Sequence, residues 1–267
     1  MYDLIASDLD GTLLLPGDRI GDYTCNTLWQ LHQDGRQIVL ATGRHQRDVR
    51  SLMGKRLPPV HLITANGASI ASACGNLRLV QELDNELVRK LIASATDRQW
   101  VINAYCQAQW LISDHYPNLD SFSQNPAFQP TLCAPADFPE QGIQKLFFFH
   151  HDQDHAALAR LQSRLDACFG ARISSVFSFP WCLEVMAGGV SKGHALQRLA
   201  QLLGVALKRC VAFGDGMNDV SMLAKAGQAV VMDSAHHDVR RALPEAAVIG
   251  HCGEEAVARY LATLLPT

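Results

Sequence analysis

The chain contains no apolar run approaching the roughly 20 residues that cross a bilayer as a helix, so a membrane-spanning function is not expected. It also has no excess of basic charge: 23 Lys and Arg stand against 26 Asp and Glu, a net charge of −3. A whole-molecule field of that sign gives no reason to expect nucleic acid or an anionic membrane as partner, and any phosphate site must be built locally. Paired cysteines are missing as well. The eight cysteines stand singly with no C-x-x-C spacing, which excludes a zinc knot and argues against a disulfide framework. They read as reduced, mostly packing residues of a cytoplasmic protein. The opening Met1-Tyr2-Asp3-Leu4 lacks the basic stretch and apolar core of a secretory signal. Gly188-Gly189-Val190-Ser191-Lys192-Gly193 looks like a phosphate loop but fails the G-x-x-x-x-G-K-[ST] pattern, because Gly193 is followed by His194. Nucleoside triphosphate binding is therefore not expected. No internal repeat or low-complexity segment is present.

What the chain does have is size and ordinary hydrophobicity. Its 267 residues, 48% of them hydrophobic, suffice for two compact domains. The first third alternates short apolar runs with helical spacing. Leu4-Ile5-Ala6-Ser7, Ile38-Val39-Leu40-Ala41 and His61-Leu62-Ile63-Thr64 read as buried strands. Helices are expected over 21–34, stopped by Gly35, and from Arg44 to about Met53. Ser69–Ser72 and Leu77–Val80 flank the turn signal Cys74-Gly75-Asn76 and read as a small hairpin. The last third repeats the theme, with strands at Cys210–Phe213, Ala229–Met232 and Ala247–Ile249 and helices over 191–203, 219–225 and about 254–264. Strands alternating with helices predict βαβ units, hence a Rossmann-like, doubly wound parallel sheet.

The middle differs. A helix over 85–98 is followed by strand pairs Val101–Tyr105 with Trp110–Ser113 and Ile173–Phe177 with Leu183–Met186. Lys145–His150 reads as an aromatic strand, 154–168 as a helix, and 114–142 as a proline-rich loop. This is an α+β pattern. We expect an inserted domain at 84–187 and a discontinuous α/β domain made of 1–83 and 188–267.

In doubly wound sheets ligands sit at the carboxyl ends of the strands. Asp8 and Asp10, Thr42, and Asp215 with Asn218 and Asp219 all follow expected strands, and Lys192 begins a helix. An aspartate at a strand end is usually a cap or turn residue. Four such signals in one domain exceed that explanation. If the strand continues through them, Asp8 and Asp10 point to the same side with Cα atoms roughly 6.5 Å apart. Their repulsion then calls for a cation, Asp215 can complete an oxygen-rich site, and hard oxygen donors suit Mg²⁺.

Asp8-Leu9-Asp10-Gly11-Thr12 resembles the first motif of the haloacid dehalogenase-like phosphohydrolases. Ala41-Thr42-Gly43-Arg44 resembles their second motif, Lys192 in GGVSKGHAL their third, and FGDGMNDVSML (213–223) their fourth. The insertion between the second and third motifs, and ITANGA (63–68), resemble the Cof-type branch with its α+β cap. LEVMAGGVSKGHAL and AVIGHC lie nearest to enterobacterial members that hydrolyse pyridoxal phosphate, with hydrolases of the thiamin pyrimidine precursor pyrophosphate beside them. The resemblance implies a phosphoric monoester hydrolase acting on a small phosphorylated metabolite. Asp8 would be the nucleophile that becomes an aspartyl-phosphate, and Asp10 the general acid and base. Mg²⁺ would be held by Asp8, the backbone carbonyl of Asp10, and Asp215. Leu9 (backbone), Thr42, Gly43, Lys192 and Asn218 would hold the phosphoryl oxygens. Asp219, Arg44 and Asn66 would support them, Asp219 by orienting Lys192 or metal-bound water. The inserted domain would control substrate access and choose the leaving group. The resemblance leaves the oligomeric state open.

One departure is Asp233 in Met232-Asp233-Ser234-Ala235, where relatives carry glycine; Asp tolerates a positive φ if the position demands it. Sugar phosphates are a weaker substrate expectation. A phosphomutase is disfavoured, since its relatives insert their cap between the first two motifs and only about 30 residues separate Asp10 from Thr42. A non-catalytic binding protein would not need both Asp8 and Asp10. Adjacent histidines, His150-His151 and His236-His237, are expected to diverge and lie at the surface. Phe147-Phe148-Phe149 reads as a packed strand, and Trp110, His115 and Trp181 as core in preference to a ligand pocket.

Overall fold

The computed structural model describes residues 2–95, 99–119 and 125–265. Two compact units result, one from Met1–Leu79 with Ser191–Thr267 and one from Val80–Val190. In chain order the first strands are β1 (Leu4–Ser7), β2 (Gln37–Ala41), β3 (His61–Thr64), β4 (Ser69–Ala71) and β5 (Arg78–Val80). Next come β6 (Trp100–Tyr105), β7 (Trp110–Ile112), β8 (Thr131–Leu132), β9 (Lys145–His150), β10 (Ile173–Phe179) and β11 (Cys182–Ala187). The last are β12 (Cys210–Gly214), β13 (Gln228–Met232) and β14 (Ala247–Ile249). The helices are α1 (Asp22–Gln33), α2 (Gln46–Met53), α3 (Asn85–Ala93), α4 (His155–Phe169), α5 (Lys192–Leu202), α6 (Val220–Leu223), α7 (His237–Ala242) and α8 (Ala256–Ala262). The expected helix over 85–98 is described to Ala93; its positions 96–98 lie outside the described residues. No helix among the described residues is long and apolar enough to cross a membrane.

The first unit is a sheet in the order β14-β13-β12-β1-β2-β3-β4-β5. Six strands, β14 through β3, are parallel, and the β4–β5 hairpin joins antiparallel at the edge. Alternation along each strand supplies both faces, as a sheet buried on both sides requires. Ile5, Ile38, Leu40 and Phe213 pack with Leu28 and Leu31 of α1, Val49 of α2 and Leu261 of α8. Leu4, Ala6, Val39 and Ile63 pack with Leu196 and Leu199 of α5, Met222 of α6 and Val239 of α7. β1 lies between β12 and β2, so chain order reverses at its carboxyl end. That is the switch point where such sheets open a crevice.

The second unit is a sheet in the order β10-β11-β9-β6-β7-β8, antiparallel except for the short β7–β8 pair. Leu87 and Leu91 of α3 and Leu158, Leu161 and Leu165 of α4 cover Ile102, Ala104, Leu146, Phe148, Leu183 and Val185. The period of two sends Lys145, Phe147 and Phe149 to the other face. There Lys145 and Glu184 form an ion pair at 2.8 Å, both fully buried. The ammonium lies 4.5 Å from the centroid of the Tyr105 ring and 4.8 Å from that of Phe147, and Ser178 Oγ donates to Glu184 at 3.0 Å. Removing one member strands a buried charge, which costs about 3–5 kcal/mol, whereas replacing both by apolar residues costs little. Glu184→Leu is expected to lower the urea midpoint sharply, and Lys145→Met added to it to restore most of the loss. Equal losses in the single and double variants would show that the pair is not the source.

Candidate functional site

The site begins where β1 stops. Continuation of the strand through Asp8 and Asp10 is not what occurs. β1 ends at Ser7, and residues 9–13 wind into one wide turn closed by Leu14 N–H donating to Leu9 C=O at 2.9 Å. The turn needs Gly11, which has φ +73°, and a Cβ there would stand 2.4 Å from Asp215 Oδ2. Leu9 turns its side chain into the core. The two carboxylates thus leave a turn rather than one strand face, and each meets a different cation.

Asp8 is buried and accepts from Lys192 Nζ at 2.6 Å. Lys192 is fully buried at the first position of α5, after Ser191 caps the helix by accepting from His194 N–H. The helix start is pressed into place at Gly193, where a Cβ would meet Ser221 C=O at 2.1 Å. Lys192 Nζ also donates to Asp219 Oδ1 at 2.6 Å, while Asp219 Oδ2 accepts from the backbone N–H groups of Asp215 and Gly216 at 3.1 and 2.9 Å. Both oxygens of Asp219 are therefore engaged, and its position is that of an orienting group. Burial opposes charge on Lys192, but the Asp219 and Asp8 carboxylates overcome it and hold the ammonium above its ordinary pKa.

Asp10 pairs instead with Arg44, whose Nε lies 2.9 Å from Asp10 Oδ2 and whose Nη2 lies 2.5 Å from Oδ1. Arg44 further reaches Asp18 at 2.8 Å and Asp48 at 3.2 Å. Burial works against this guanidinium, yet hydrogen bonding to Asp10 and the charges of Asp10 and Asp48 raise its pKa further above the ordinary value. Asp18 and Asp48 were not anticipated. Asp48 stands four residues after Arg44, a helical ion-pair spacing legible in the sequence. Asp18, with φ +54° in the turn closed by the Leu15–Arg19 bridge, left no local signal.

Thr42 closes β2, fully buried, with its N–H donating to Ile63 C=O at 2.8 Å and its Oγ1 accepting from Arg44 N–H at 3.1 Å. Gly43 follows it at the same strand end. Asn66, in a left-handed conformation after β3, donates its N–H to Thr42 C=O and accepts from Asn218 Nδ2 at 3.2 Å. Asp215 follows β12 and accepts from Thr12 Oγ1 at 2.9 Å. Asp8, Asp10, Thr42, Gly43, Asn66, Asp215, Asn218 and Asp219 thus lie at the ends of β1, β2, β3 and β12, and Lys192 reaches them from α5.

Carboxylate oxygens of Asp8, Asp215 and Asp219 lie within 4.8 Å of one another. Three buried or half-buried carboxylates face one ammonium, so the cluster carries surplus negative charge. Burial and the neighbouring Asp219 push the Asp8 carboxyl well above the carboxylate range against the pull of Lys192. Burial and Asp219 likewise push Asp215 up to about 7. A second cation would relieve both, and oxygen donors fit a hard divalent ion. Asp8 and Asp215 would hold it, since Asp219 is already committed. A consequence follows from the Asp215 shift. Ligation requires loss of its proton, so Mg²⁺ affinity measured by calorimetry is expected to fall as pH drops below about 7. Without metal the sign for stability is opposite. The folded chain holds this proton more tightly than the unfolded one, so stability is lost as pH rises from the model-peptide range through about 7. Metal affinity flat from pH 5 to 8 would exclude Asp215 as a titrating ligand.

Of the three residues read as core, only Trp110 is fully so; Trp181 is half-buried and His115 lies at the surface, contrary to that expectation. Trp110 is buried and donates from its indole to Asn103 at 2.9 Å, Trp181 stacks on Phe179 with centroids 5.0 Å apart, and His115 is exposed. Phe147, Phe148 and Phe149 are fully buried. Asp233 is exposed, and positive φ is not what it supplies. His150 is not at the surface: it is buried edge-on against Trp100 with centroids 5.3 Å apart, and its Nδ1 accepts from Asp152 N–H. Its neighbour Phe149 points to the opposite sheet face, as the strand period requires. All eight cysteines are free thiols.

Residues 5–261 match the haloacid dehalogenase-like hydrolase family. The chain is 40% identical over 264 residues to a protein of Haemophilus influenzae, covering 98% of this chain and 96% of that one. It is 36% identical over 261 residues to the HMP-PP phosphatase of an Enterobacter species, covering 98% and 95%. Among solved structures, a haloacid dehalogenase-like hydrolase from B. subtilis superimposes with a TM-score of 0.85 at 25% identity, covering 98% of this chain and all of that one.

Proposed function

Because the chain belongs to the haloacid dehalogenase-like hydrolases and is a phosphatase of that family, we propose that it hydrolyses a small phosphomonoester through an aspartyl-phosphate on Asp8, with Mg²⁺ as cofactor. The observation that carries this is the separate partnering of the two carboxylates: Asp8 on Lys192, Asp10 on Arg44. An Asp8 oxygen attacks phosphorus, the ester P–O bond breaks, and Asp10 supplies the proton to the departing alkoxide. To do so Asp10 exchanges Arg44 for the leaving oxygen. Water then attacks the acyl phosphate, Asp10 takes its proton, and the bond from phosphorus to Asp8 breaks. Lys192, Thr42, Asn218 and the backbone N–H groups of Leu9 and Gly43 are the donors assigned to the phosphoryl oxygens. Asn66 fixes the amide of Asn218, and Asp219 fixes Lys192. Asp8, Asp215 and the Asp10 carbonyl would hold Mg²⁺, which would supply positive charge beside the phosphoryl group.

Pyridoxal 5'-phosphate is the first substrate assigned, on the resemblance of LEVMAGGVSKGHAL and AVIGHC. The pyrophosphate of the thiamin pyrimidine precursor stands beside it, since the Enterobacter relative and another from Cronobacter sakazakii are named HMP-PP phosphatase. The reading places the protein in the cytoplasm. The test is phosphate release over a panel of phosphometabolites, ranked by kcat/KM. One of the two heteroaromatic substrates is expected to lead, with release lost on chelation and restored by Mg²⁺. Sugar phosphates at the head of the ranking would overturn the substrate, and metal-independent release would overturn the cofactor.

A further inference from the structure

Arg44 holds three carboxylates at once. Its Nη2 donates to Asp10 Oδ1 at 2.5 Å and to Asp18 Oδ1 at 2.8 Å, and its Nη1 donates to Asp48 Oδ2 at 3.2 Å. Asp10 and Asp18 therefore share one nitrogen, and their oxygens lie no farther apart than those two hydrogen bonds together span. Asp48 is set in place by the chain itself, four residues after Arg44, and is buried. Asp18 comes from elsewhere. It belongs to the Leu15–Arg19 turn and takes a left-handed backbone conformation (φ +54°), which an aspartate adopts at a cost. The side chains of Asp10 and Asp18 are 31% and 28% exposed, so both are reached from solution.

This group sets one guanidinium against three carboxylates. Lys192 does not add to it, being tied to Asp8 and Asp219 on the side of the transferred phosphoryl group. Asp10 serves the departing oxygen, so the leaving group passes beside Arg44. When Asp10 carries its proton to that oxygen, Arg44 is still matched by Asp18 and Asp48, and one negative charge remains in surplus. A leaving group that is itself an anion is repelled there, and a neutral alcohol is not. We infer that Asp18, acting through Arg44, is a specificity-determining residue: it keeps the leaving-group side negative, which favours phosphomonoesters of uncharged alcohols over pyrophosphates. Of the two heteroaromatic substrates this selects pyridoxal 5'-phosphate, whose leaving group is an alcohol rather than a phosphate. The inference rests on the assignment of Asp10 as the acid and base.

The probes are the thiamin pyrimidine precursor as its monophosphate and as its pyrophosphate, which lose the same terminal group from an alcohol and from a phosphate. Asp18→Asn and Asp18→Gly both remove the charge, and both residues tolerate the left-handed conformation. The ratio of kcat/KM for the pyrophosphate to kcat/KM for the monophosphate is expected to rise about tenfold in each variant. The wild-type ratio is expected to climb toward that of the variants as salt is added, because a half-exposed charge is screened. Comparing ratios cancels the unequal intrinsic reactivity of the two esters, and a damaged fold lowers both substrates alike. A ratio unmoved in both variants, or a wild-type ratio insensitive to salt, overturns the inference and leaves the role of Asp10 standing. That role is read separately: Asp10→Asn with wild-type kcat on both probes would remove it, and this inference with it.

Discussion

Asp8→Asn is expected to abolish phosphate release, by about 10⁴-fold or more, with little change in melting temperature. The amide fills the same volume and its oxygen still accepts from Lys192 Nζ, which stands 2.6 Å from Asp8 Oδ1. It removes a buried negative charge that burial and Asp219 already disfavour. What it cannot do is attack phosphorus. Rapid quench with a ³²P-labelled substrate separates the causes. Wild type traps acid-stable label on the protein under turnover and the variant traps none. Residual turnover above one per cent would move the nucleophile elsewhere.

Asp10→Asn is expected to lower kcat by about 10²–10⁴-fold while Mg²⁺ affinity changes only a few-fold. The asymmetry rests on the turn at residues 9–13. Asp10 sends its carboxylate to Arg44, and its assigned metal contact is a backbone carbonyl that the substitution leaves in place. Asp215→Asn should show the reverse pattern, with metal binding weakened first. Calorimetry with Mg²⁺ and kcat at saturating metal read the two quantities independently. If Asp10→Asn lost metal and kept kcat at saturation, the two roles would be exchanged. Acceleration of the slow variant by an activated leaving group, such as an aryl phosphate that departs without a proton, would identify the missing acid.

The βαβ rhythm was legible because β1, β2, β3, β12 and β13 are short apolar runs that end in, or are followed at once by, a polar or glycine residue, and α1 stops at the Asp34-Gly35 turn. The inserted unit was legible by its change of period, from strand–helix alternation to strand pairs. The hairpin partner of β4 showed in Cys74-Gly75-Asn76. β8 was not legible: Thr131–Leu132 is two exposed residues whose pairing with β7 is decided by the loop that carries them. Lys145 and Glu184 lie 39 residues apart, and no local pattern marks them as a buried pair.

At the candidate site the sequence alone picked out residues that the fold brings together, because the polar groups sit at strand ends where a doubly wound sheet leaves its crevice. The resemblance of Asp8-Leu9-Asp10-Gly11-Thr12 to the D-x-D-G-T motif also gave the expectation that the two carboxylates do different work. Only the tertiary structure decided which cation each one meets. Lys192 reaches Asp8 from 184 residues away and Arg44 reaches Asp10 from 34. Those pairings depend on a turn wound around Gly11 and on α5 pressed against α6 at Gly193. Backbone conformation and close approach are set by packing across the chain. A side chain's neighbours in sequence carry no record of them, as the converging rings of His236 and His237 also show.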